Sequence, residues 1–195
     1  MCDPVNMALG IVQTVESQKE QARNRDLAEH HANEAEARFS GERTFDIAGG
    51  SVTADRVVLA AGTRAVVPDL PGLADVPFHT SDSIMRIDEL PRHLVVLGGG
   101  FIALEMAHVF HGLGSRVTLL YRGDLLLRRA DEDIRRRITQ IYADRLDLRL
   151  QTDVERVRHD DAFRIDLSDG STLEADALLV ATGRRPNSDR LDTDA

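Results

Sequence analysis

Three small residues at fixed spacing, Gly98, Gly100 and Ala103, are the part of the sequence best suited to binding chemistry. In a Gly-x-Gly-x-x-Ala turn the first glycine permits a tight bend and the second lets the backbone approach a pyrophosphate, while the small third residue lets a helix pack on a strand. The first free N–H groups of that helix and the positive end of its dipole would face the phosphates. The spacing therefore predicts a dinucleotide site, and the alternatives are a glycine-rich turn without a ligand or another nucleotide-like ligand on the same fold.

The elements around this turn occur in the order that such a site requires. The apolar run Leu94 to Leu97 predicts a buried strand, apolar residues at helical spacing from Ile102 to Leu113 predict a helix, and Val117 to Tyr121 predicts a second strand. Farther along, residues 154–174 read as a β-meander, and Ala177 to Ala181 reads as a last buried strand. We therefore expect an α/β fold, a Rossmann-like NAD(P)-binding domain with a parallel sheet, helices on both sides and a β-meander.

Other elements are predicted from local patterns. Residues 1–32 read as largely helical, Arg56 to Ala60 as an apolar strand, and Ser83 to Leu90 as a short helix. The helix that follows the second strand of the nucleotide unit is expected to bury one face and to expose the other. The predicted buried residues are Ile134, Ile138, Ile141 and Tyr142, and the predicted exposed residues opposite them are Arg135, Arg136 and Arg137.

The end of the second strand holds residues that would select the nucleotide. In NAD-selective sites an acid about 20 residues beyond the first glycine binds the adenine ribose, whereas Tyr121 and Arg122 occupy that place here. Arg122 would accept a 2′-phosphate by a charge-assisted contact, and Arg128 would add a second donor if the intervening loop folds back. Tyr121 would stack on adenine or donate its hydroxyl. NADPH is therefore the expected nucleotide, and the alternative is that both arginines are ordinary surface residues.

Composition excludes several classes of protein. The 195-residue chain has a formal net charge of -9, which argues against non-specific nucleic-acid binding. No apolar run approaches the roughly 20 residues that span a bilayer. Cys2 is the single cysteine, which rules out an internal disulfide framework and fits a cytoplasmic protein. His30 and His31 would point to different sides of a helix, so no metal site is expected.

Taken together, these motifs resemble the flavoprotein disulfide reductases. The resemblance is carried by LVVLGGGFIALE at 94–105, by the similar strand ends VVLAAGTR at 57–64 and LLVATGRRPN at 178–187, and by the proline-rich connector. In that family, which includes the glutathione, trypanothione and mycothione reductases and lipoamide dehydrogenase, a nicotinamide-binding domain is inserted between two halves of an FAD domain. Residues 77–110 most resemble the NADPH-dependent mycothione reductase branch.

The resemblance implies a division of the chain and a set of cofactor-binding residues. Residues 1–65 would be a partial FAD-domain segment, 66–91 a connector, 92–190 the NAD(P)H-binding domain, and 191–195 the start of the second FAD half. Phe101 and Glu105 would lie beside the nicotinamide and flavin, although no catalytic residue is expected in this chain. The residues matched to NADPH are Gly98, Gly99, Gly100, Phe101, Ile102, Ala103, Glu105, Tyr121, Arg122, Arg128, Gly183 and Arg184, and those matched to FAD are Ala61, Gly62 and Thr63.

Departures from the family pattern shape the functional expectation. The chain lacks the family's own Gly-x-Gly-x-x-Gly strand for FAD, the redox Cys-x4-Cys pair, and the dimerisation domain with its catalytic His–Glu pair. We therefore expect the NADPH-binding domain of an FAD-dependent disulfide oxidoreductase, inactive alone. The parent enzyme is expected to pass hydride from NADPH to flavin and on to a small-molecule thiol disulfide, and to be a cytoplasmic homodimer with no nucleic-acid or membrane partner.

Three alternatives stay open at this point. The first is an NAD(P)H-dependent flavoprotein of another substrate class, such as a ferredoxin reductase, NADH oxidase or coenzyme A disulfide reductase. The second is a non-catalytic nucleotide-binding module. The third is a subunit that completes its flavin site with a separate chain.

Overall fold

The computed structural model describes residues 37–47 and 49–193. The helix predicted over residues 1–32, together with Cys2, His30 and His31, lies outside the described residues. Within the described residues the chain divides into two compact units, one formed by residues 37–47, 49–64 and 184–193 and the other by residues 65–183. The assignment of these segments to FAD or to NAD(P)H stays a prediction.

The smaller unit contains an antiparallel sheet of three short strands, β1 (Ala37–Gly41), β2 (Thr44–Ile47) and β3 (Gly50–Thr53), in that order. Phe39 and Phe45 lie on adjacent strands with ring centroids 4.2 Å apart, and Phe45 is fully buried. This aromatic pair adds a cross-strand packing contact to the hydrogen-bonded pairing of β1 with β2.

The strand predicted at Arg56 to Ala60 is wrong, because these residues form no strand. Val58 and Leu59 are 49% and 48% exposed, and no described strand pairs with the run. An extended apolar run becomes a strand only where a neighbour completes its backbone hydrogen bonds. The next strand, β4 (Thr63–Ala65), begins three residues after the run.

The segment that leads into the larger unit holds two single turns of 3-10 helix, Leu73–Asp75 and Ile84–Arg86. The short helix predicted at Ser83 to Leu90 is therefore wrong in length. Ile84 is fully buried and anchors its turn to the core. Starting a helix is unfavourable, because its first turn fixes several backbone dihedral angles and gains few hydrogen bonds. One buried side chain is therefore not enough to stabilise a longer helix here.

The larger unit is built on parallel strands joined by helices. Strand β5 (His93–Leu97) leads through α1 (Phe101–Gly112) to β6 (Arg116–Tyr121), and β6 leads through α2 (Glu132–Ala143) to β7 (Asp147–Leu150). Every residue of β5 is buried, as expected for a central parallel strand covered on both faces. Neither helix in the described residues is long and apolar enough to cross a membrane.

The chain then forms the predicted meander and returns to the sheet. Antiparallel strands β8 (Val154–His159), β9 (Phe163–Leu167) and β10 (Thr172–Ala175) are followed by β11 (Ala177–Val180), which pairs in parallel with β5. The sheet order is therefore β11-β5-β6-β7. The parallel α/β sheet and the meander expected from the sequence are confirmed.

The two faces of the parallel sheet are covered by different elements. Ala103 and Phe110 of α1 share one buried cluster with Val96, and α2 packs against the same cluster. Ile165 of the meander shares the other cluster with Val95. We expected helices on both sides, but in the described residues both helices lie on one face and the meander covers the second. The right-handedness of the crossovers explains this. The connections β5 to β6 and β6 to β7 run in the same direction across the sheet, so both helices lie on one face, whereas the connection from β7 to β11 runs in the opposite direction and lies on the other face.

The buried face of α2 follows the prediction in part. Ile138 and Tyr142 pack against the core, and Arg136 and Arg137 are exposed, as predicted. Ile134 is 56% exposed, whereas Thr139 is buried and its Oγ1 accepts a hydrogen bond from the Leu126 N–H at 3.0 Å. Arg135 is not on the outer side, since its guanidinium donates to the carbonyls of Leu125 and Leu126 at 3.3 Å. The loop before α2 folds onto the helix, and its main-chain groups require polar partners there.

After Gly183 the chain forms β12 (Arg184–Pro186), which pairs with β4. A turn of 3-10 helix at Asn187–Arg190 follows directly. The backbone N–H of Phe39 donates to the Leu191 carbonyl at 2.7 Å, which ties this last segment to β1 within the smaller unit.

Candidate nucleotide-binding site

The turn between β5 and α1 is built around Gly98. Its φ angle is 139°, and its N–H donates to the Leu120 carbonyl at the end of β6, at 2.9 Å. A Cβ added to Gly98 would lie 2.3 Å from the carbonyl oxygen of Ala181, just beyond β11. Only glycine satisfies both the backbone angle and this close approach. Gly98 therefore lies where the carboxyl ends of three strands meet.

The next step of the turn is open. Gly100 is the N-cap residue of α1, with φ -94° and ψ -179°, and a Cβ added there would meet no atom within 4 Å. No side chain caps the helix, and the first intrahelical bond runs from the Leu104 N–H to the Gly100 carbonyl at 3.1 Å. The N–H groups of the first helical turn therefore have no intrahelical acceptor. An anion placed beside Gly100 would meet these donors and the positive end of the helix dipole.

The position of this turn in the sheet is also significant. From β5 the chain steps to β6 over one face, and it reaches β11, on the other side of β5, over the opposite face. Ligands of open parallel sheets bind at the carboxyl ends of strands where the order reverses in this way. The Ala181 N–H donates to the Leu97 carbonyl at 2.8 Å, so the segment leading to Gly183 starts beside the turn.

Tyr121 supports the turn from the end of β6. A Cβ added to Gly99 would lie 2.6 Å from Tyr121 Cγ, and one added to Gly123 would lie 2.5 Å from Tyr121 Cε1. The phenol ring therefore packs on the backbone of both glycines, which explains why neither position carries a side chain. The predicted stacking on adenine stays a prediction.

The loop after β6 folds back on the turn. The Leu127 N–H donates to the Gly99 carbonyl at 2.8 Å, which brings the neighbouring Arg128 to the fingerprint. Arg122 and Arg128 are exposed, and within the described residues neither side chain has a hydrogen bond or ion pair. The nearby acid, Asp124, is bound by Arg135 at 3.4 Å. The loop at the carboxyl end of β6 therefore carries two guanidinium groups, of Arg122 and Arg128, without a described carboxylate partner.

The residues of α1 separate into packing and exposed positions. Ala103 is fully buried against the sheet, which is the packing role that the Gly-x-Gly-x-x-Ala pattern predicts, and Ile102 is half-buried. Phe101 is 66% exposed, and Glu105, one turn later, is exposed on the same side of the helix. An exposed aromatic side chain and an acid thus stand next to the open turn.

The residues matched to FAD lie in the smaller unit together with Arg184. The Arg184 guanidinium donates from Nε to Thr63 Oγ1 and from Nη2 to the Thr63 carbonyl, both at 2.6 Å. The structure thus places Arg184 on Thr63, while Gly183 belongs to the larger unit. Asn187, to which sequence reasoning gave no separate role, bonds to Ala61 and Gly62. The sequence feature that could have indicated this role is the asparagine that follows proline in RRPN at 184–187.

An ion-pair network that the sequence did not predict stabilises the same segment. Arg64 donates through two nitrogens to the carboxylate of Asp189, at 2.9 and 2.6 Å, and Arg185 also pairs with Asp189. The hydrogen bond from Arg64, followed by that from Arg185, holds the pKa of Asp189 well below its usual range. The two arginines therefore stabilise the ionised form of Asp189.

A chain of polar side chains, buried at His93 and Thr118 and exposed at Asp147, lies toward the opposite edge of the sheet. His93 Nε2 lies 2.9 Å from Thr118 Oγ1, and the Thr118 hydroxyl donates to Asp147 at 3.0 Å, so Nε2 carries the proton that it donates to Thr118. Arg116 lies 2.6 Å from His93 Nδ1. Burial lowers the pKa of His93. Within the described residues no group of His, Cys, Asp or Glu is arranged to hold a metal ion.

Known proteins with similar sequences or structures are redox flavoenzymes and related reductases. Mycothione reductase of Mycobacterium tuberculosis is 48% identical over 148 residues, which cover 75% of this chain and 32% of that protein. Glutathione reductase of Burkholderia cepacia is 37% identical over 153 residues, which cover 77% of this chain and 34% of that protein. The Escherichia coli HOCl-induced flavoprotein disulfide reductase RclA has a TM-score of 0.73 at 28% identity, over 98% of this chain and 48% of that one.

The chain spans about a third of the length of the curated relatives it matches. A family profile described as pyridine nucleotide-disulphide oxidoreductase matches residues 7–195. The resemblance to flavoprotein disulfide reductases that the strand ends and the glycine-rich turn predicted is confirmed. The chain belongs to the pyridine nucleotide-disulphide oxidoreductase family.

Proposed function

We propose that this chain binds NADPH at the carboxyl edge of its parallel sheet, as the nicotinamide-nucleotide-binding part of an FAD-dependent disulfide oxidoreductase. The observation that carries the proposal is the open turn at Gly100, with the uncapped start of α1, at the point where the strand order reverses. These features provide N–H donors and a positive dipole for a pyrophosphate, with room for it to approach the backbone.

Selection of the 2′-phosphate is assigned to Arg122 and Arg128. The Leu127–Gly99 hydrogen bond supports this assignment, because it satisfies the condition that the loop carrying Arg128 folds back on the turn. Both guanidinium groups lack a described carboxylate partner, so a dianionic phosphate would not have to displace one. No acid occupies the ribose-binding position at the end of β6.

The remaining matched residues receive roles from this placement. Phe101 and Glu105, exposed beside the open turn, would border the nicotinamide and flavin rings. Ala61, Gly62 and Thr63 would face FAD. Bound NADPH supplies a hydride and the flavin takes up electrons, so the chain's own residues bind, orient and select rather than react.

The whole protein to which such a chain corresponds would reduce a small-molecule thiol disulfide, of the mycothione type by its 48% identity to that reductase. We propose a cytoplasmic homodimer for that protein, with neither nucleic acid nor membrane as a partner. The chain alone would not reduce a disulfide, because the redox cysteine pair and the catalytic His–Glu pair of the family are not in its sequence. Disulfide-dependent NADPH consumption by the purified chain would contradict this part of the proposal.

Calorimetric titration with NADPH and, separately, with NADH tests the proposed function. Losing a charge-assisted contact costs about 1.5–3 kcal/mol, so Arg122→Ala is expected to weaken NADPH binding by roughly 10- to 100-fold. Binding of NADH should change little, because it has no 2′-phosphate. Arg156→Ala, which removes an exposed arginine from the meander, is the control for net charge.

Two outcomes would count against the proposal. Equal affinity of the unmodified chain for NADPH and NADH would refute the role of the arginine pair. An equal loss of both nucleotides in Arg122→Ala would show that Arg122 supports the fold rather than the phosphate.

A further inference from the structure

The three carbonyl groups of Ala61, Gly62 and Thr63 are all bound by one segment of the chain. Asn187 Nδ2 donates to the Ala61 carbonyl at 2.9 Å, and the Asn187 backbone N–H donates to the Gly62 carbonyl at 3.0 Å. Arg184 Nη2 donates to the Thr63 carbonyl at 2.6 Å. The direction in which this loop turns its carbonyl groups is therefore set from outside the loop.

The bonds to this loop matter because glycine leaves its backbone free to rotate and because one of the bonds is buried. Gly62 has a φ of 66°, in the left-handed region. Asn187 is only 3% exposed, and its bond to the Ala61 carbonyl is buried. A buried carbonyl that loses its donor keeps the full cost of desolvation. Removing the Asn187 amide would therefore favour reorientation of the loop.

The orientation of the Asn187 amide is itself fixed by charge. Arg64 Nη1 lies 3.0 Å from Asn187 Oδ1, and a guanidinium can only donate. The oxygen of the amide must therefore face Arg64, which leaves the NH₂ group to face the Ala61 carbonyl. Asp189 in turn holds Arg64 through two nitrogens, at 2.9 and 2.6 Å.

The carbonyl groups of Ala61 and Gly62 each already accept one hydrogen bond, whereas their N–H groups do not share in these contacts. In the described part of the chain neither backbone N–H has a hydrogen-bond acceptor, and Gly62 is exposed. A ligand beside this loop would therefore meet N–H donors, next to carbonyl groups that already accept a hydrogen bond. Phosphate and ring acceptor atoms of FAD fit that requirement.

We propose that Asn187 is the positioning residue of the FAD-facing loop, oriented by Arg64 and Asp189, and that the loop it holds offers backbone N–H donors to acceptor atoms of FAD. This inference rests on the proposed function in one respect, namely that Ala61 to Thr63 face FAD. The carbonyl-binding role of Asn187 stands on the contacts of the smaller unit alone.

Asn187→Asp isolates the donor, because aspartate has the same size and still accepts from Arg64 but cannot donate to the Ala61 carbonyl. Backbone amide exchange of the full chain, followed by NMR, is the measurement. The amide at position 187, which donates to the Gly62 carbonyl, is expected to exchange about tenfold faster in Asn187→Asp, since a buried carbonyl has lost its partner. Ser188→Ala, at the adjacent position, is the control and should match the unmodified chain.

A second variant tests the same role in case Asn187→Asp does not fold. Asp189→Ala removes an exposed carboxylate that holds Arg64, and it is expected to speed exchange at position 187 by a few-fold. If position 187 exchanges at the unmodified rate in both a folded Asn187→Asp and Asp189→Ala, the positioning role is overturned.

FAD itself is the probe for the donor surface. Added FAD should slow exchange at the Ala61 and Gly62 amides of the unmodified chain, and this protection should be lost in Asn187→Asp. NADPH affinity should stay within about twofold, since Gly100, Arg122 and Arg128 belong to the larger unit and Asn187 to the smaller one. Absence of FAD protection in the unmodified chain would overturn the donor surface. Failure to bind NADPH would instead refute the proposed function and leave the exchange comparison at position 187 unaffected.

Discussion

Replacing Gly98 with alanine is expected to destabilise the larger unit substantially. The new Cβ would lie 2.3 Å from the Ala181 carbonyl oxygen and 2.8 Å from its carbon, and both are main-chain atoms that cannot rotate away. Overpacking of this kind costs about 1–3 kcal/mol, and a non-glycine residue at a φ of 139° adds strain of about 1–3 kcal/mol. Together the two costs come to roughly 2–6 kcal/mol, a large part of the stability of an ordinary domain.

Gly100→Ala is the matched comparison two residues later. Its φ of -94° and ψ of -179° are allowed for alanine, and no atom lies within 4 Å of the added Cβ. Stability should therefore change by no more than about 0.5 kcal/mol. NADPH binding should weaken, because the methyl group occupies the surface that the pyrophosphate is proposed to approach.

Denaturant unfolding and NADPH titration of both variants separate the two roles. Gly98→Ala should shift the unfolding midpoint down, and Gly100→Ala should lose affinity with an unchanged midpoint. A Gly98→Ala protein as stable as the unmodified chain would refute the close approach of Ala181 to the turn. A Gly100→Ala protein with unchanged affinity would remove the pyrophosphate from this turn.

Two further predictions concern stability. Gly72→Ala should cost about 1–3 kcal/mol more than Gly170→Ala in thermal or denaturant unfolding, because both glycines have a φ of 81° but only Gly72 would bring a Cβ within 2.1 Å of the Val157 carbonyl; equal costs would refute the clash. Burial lowers the pKa of His93 from 6.5, so the unfolded chain binds more protons and stability should fall as the pH drops below about 6.5. His93→Gln should flatten that pH dependence in denaturant titrations and leave a part due to His79, whose pKa burial also lowers; an unchanged slope would contradict the assignment to His93.

The local sequence pattern was sufficient to predict a secondary-structure element where the role of each residue depends only on its neighbours in the chain. The spacing of Gly98, Gly100 and Ala103 predicted a strand–turn–helix, and the structure has β5, the turn and α1 in that order. The alternation of residues 154–174 predicted a meander, and β8 to β10 form one. In these segments periodicity and the need for glycine are set by the backbone itself.

Predictions failed where an element needs a distant partner. Arg56 to Ala60 has the composition of a strand but no described strand beside it. Ile134 has helical spacing, yet the loop at Leu125 and Leu126 folds onto α2 and places Arg135 and Thr139 toward the protein instead. Composition measures the tendency to be buried, whereas burial itself depends on which segment returns to cover the surface.

By itself, the sequence determined the glycine-rich turn, the order of strands and helices from β5 to β11, and the family. Only the tertiary structure showed that the meander rather than a helix covers the second face of the sheet, that Leu127 brings Arg128 back to Gly99, and that Asn187 holds a loop 126 residues away in the chain. The physical reason is the distance along the chain over which each interaction acts. Dihedral preference and side-chain period act over a few residues, whereas hydrogen bonds between remote segments exist only after the chain has closed on itself.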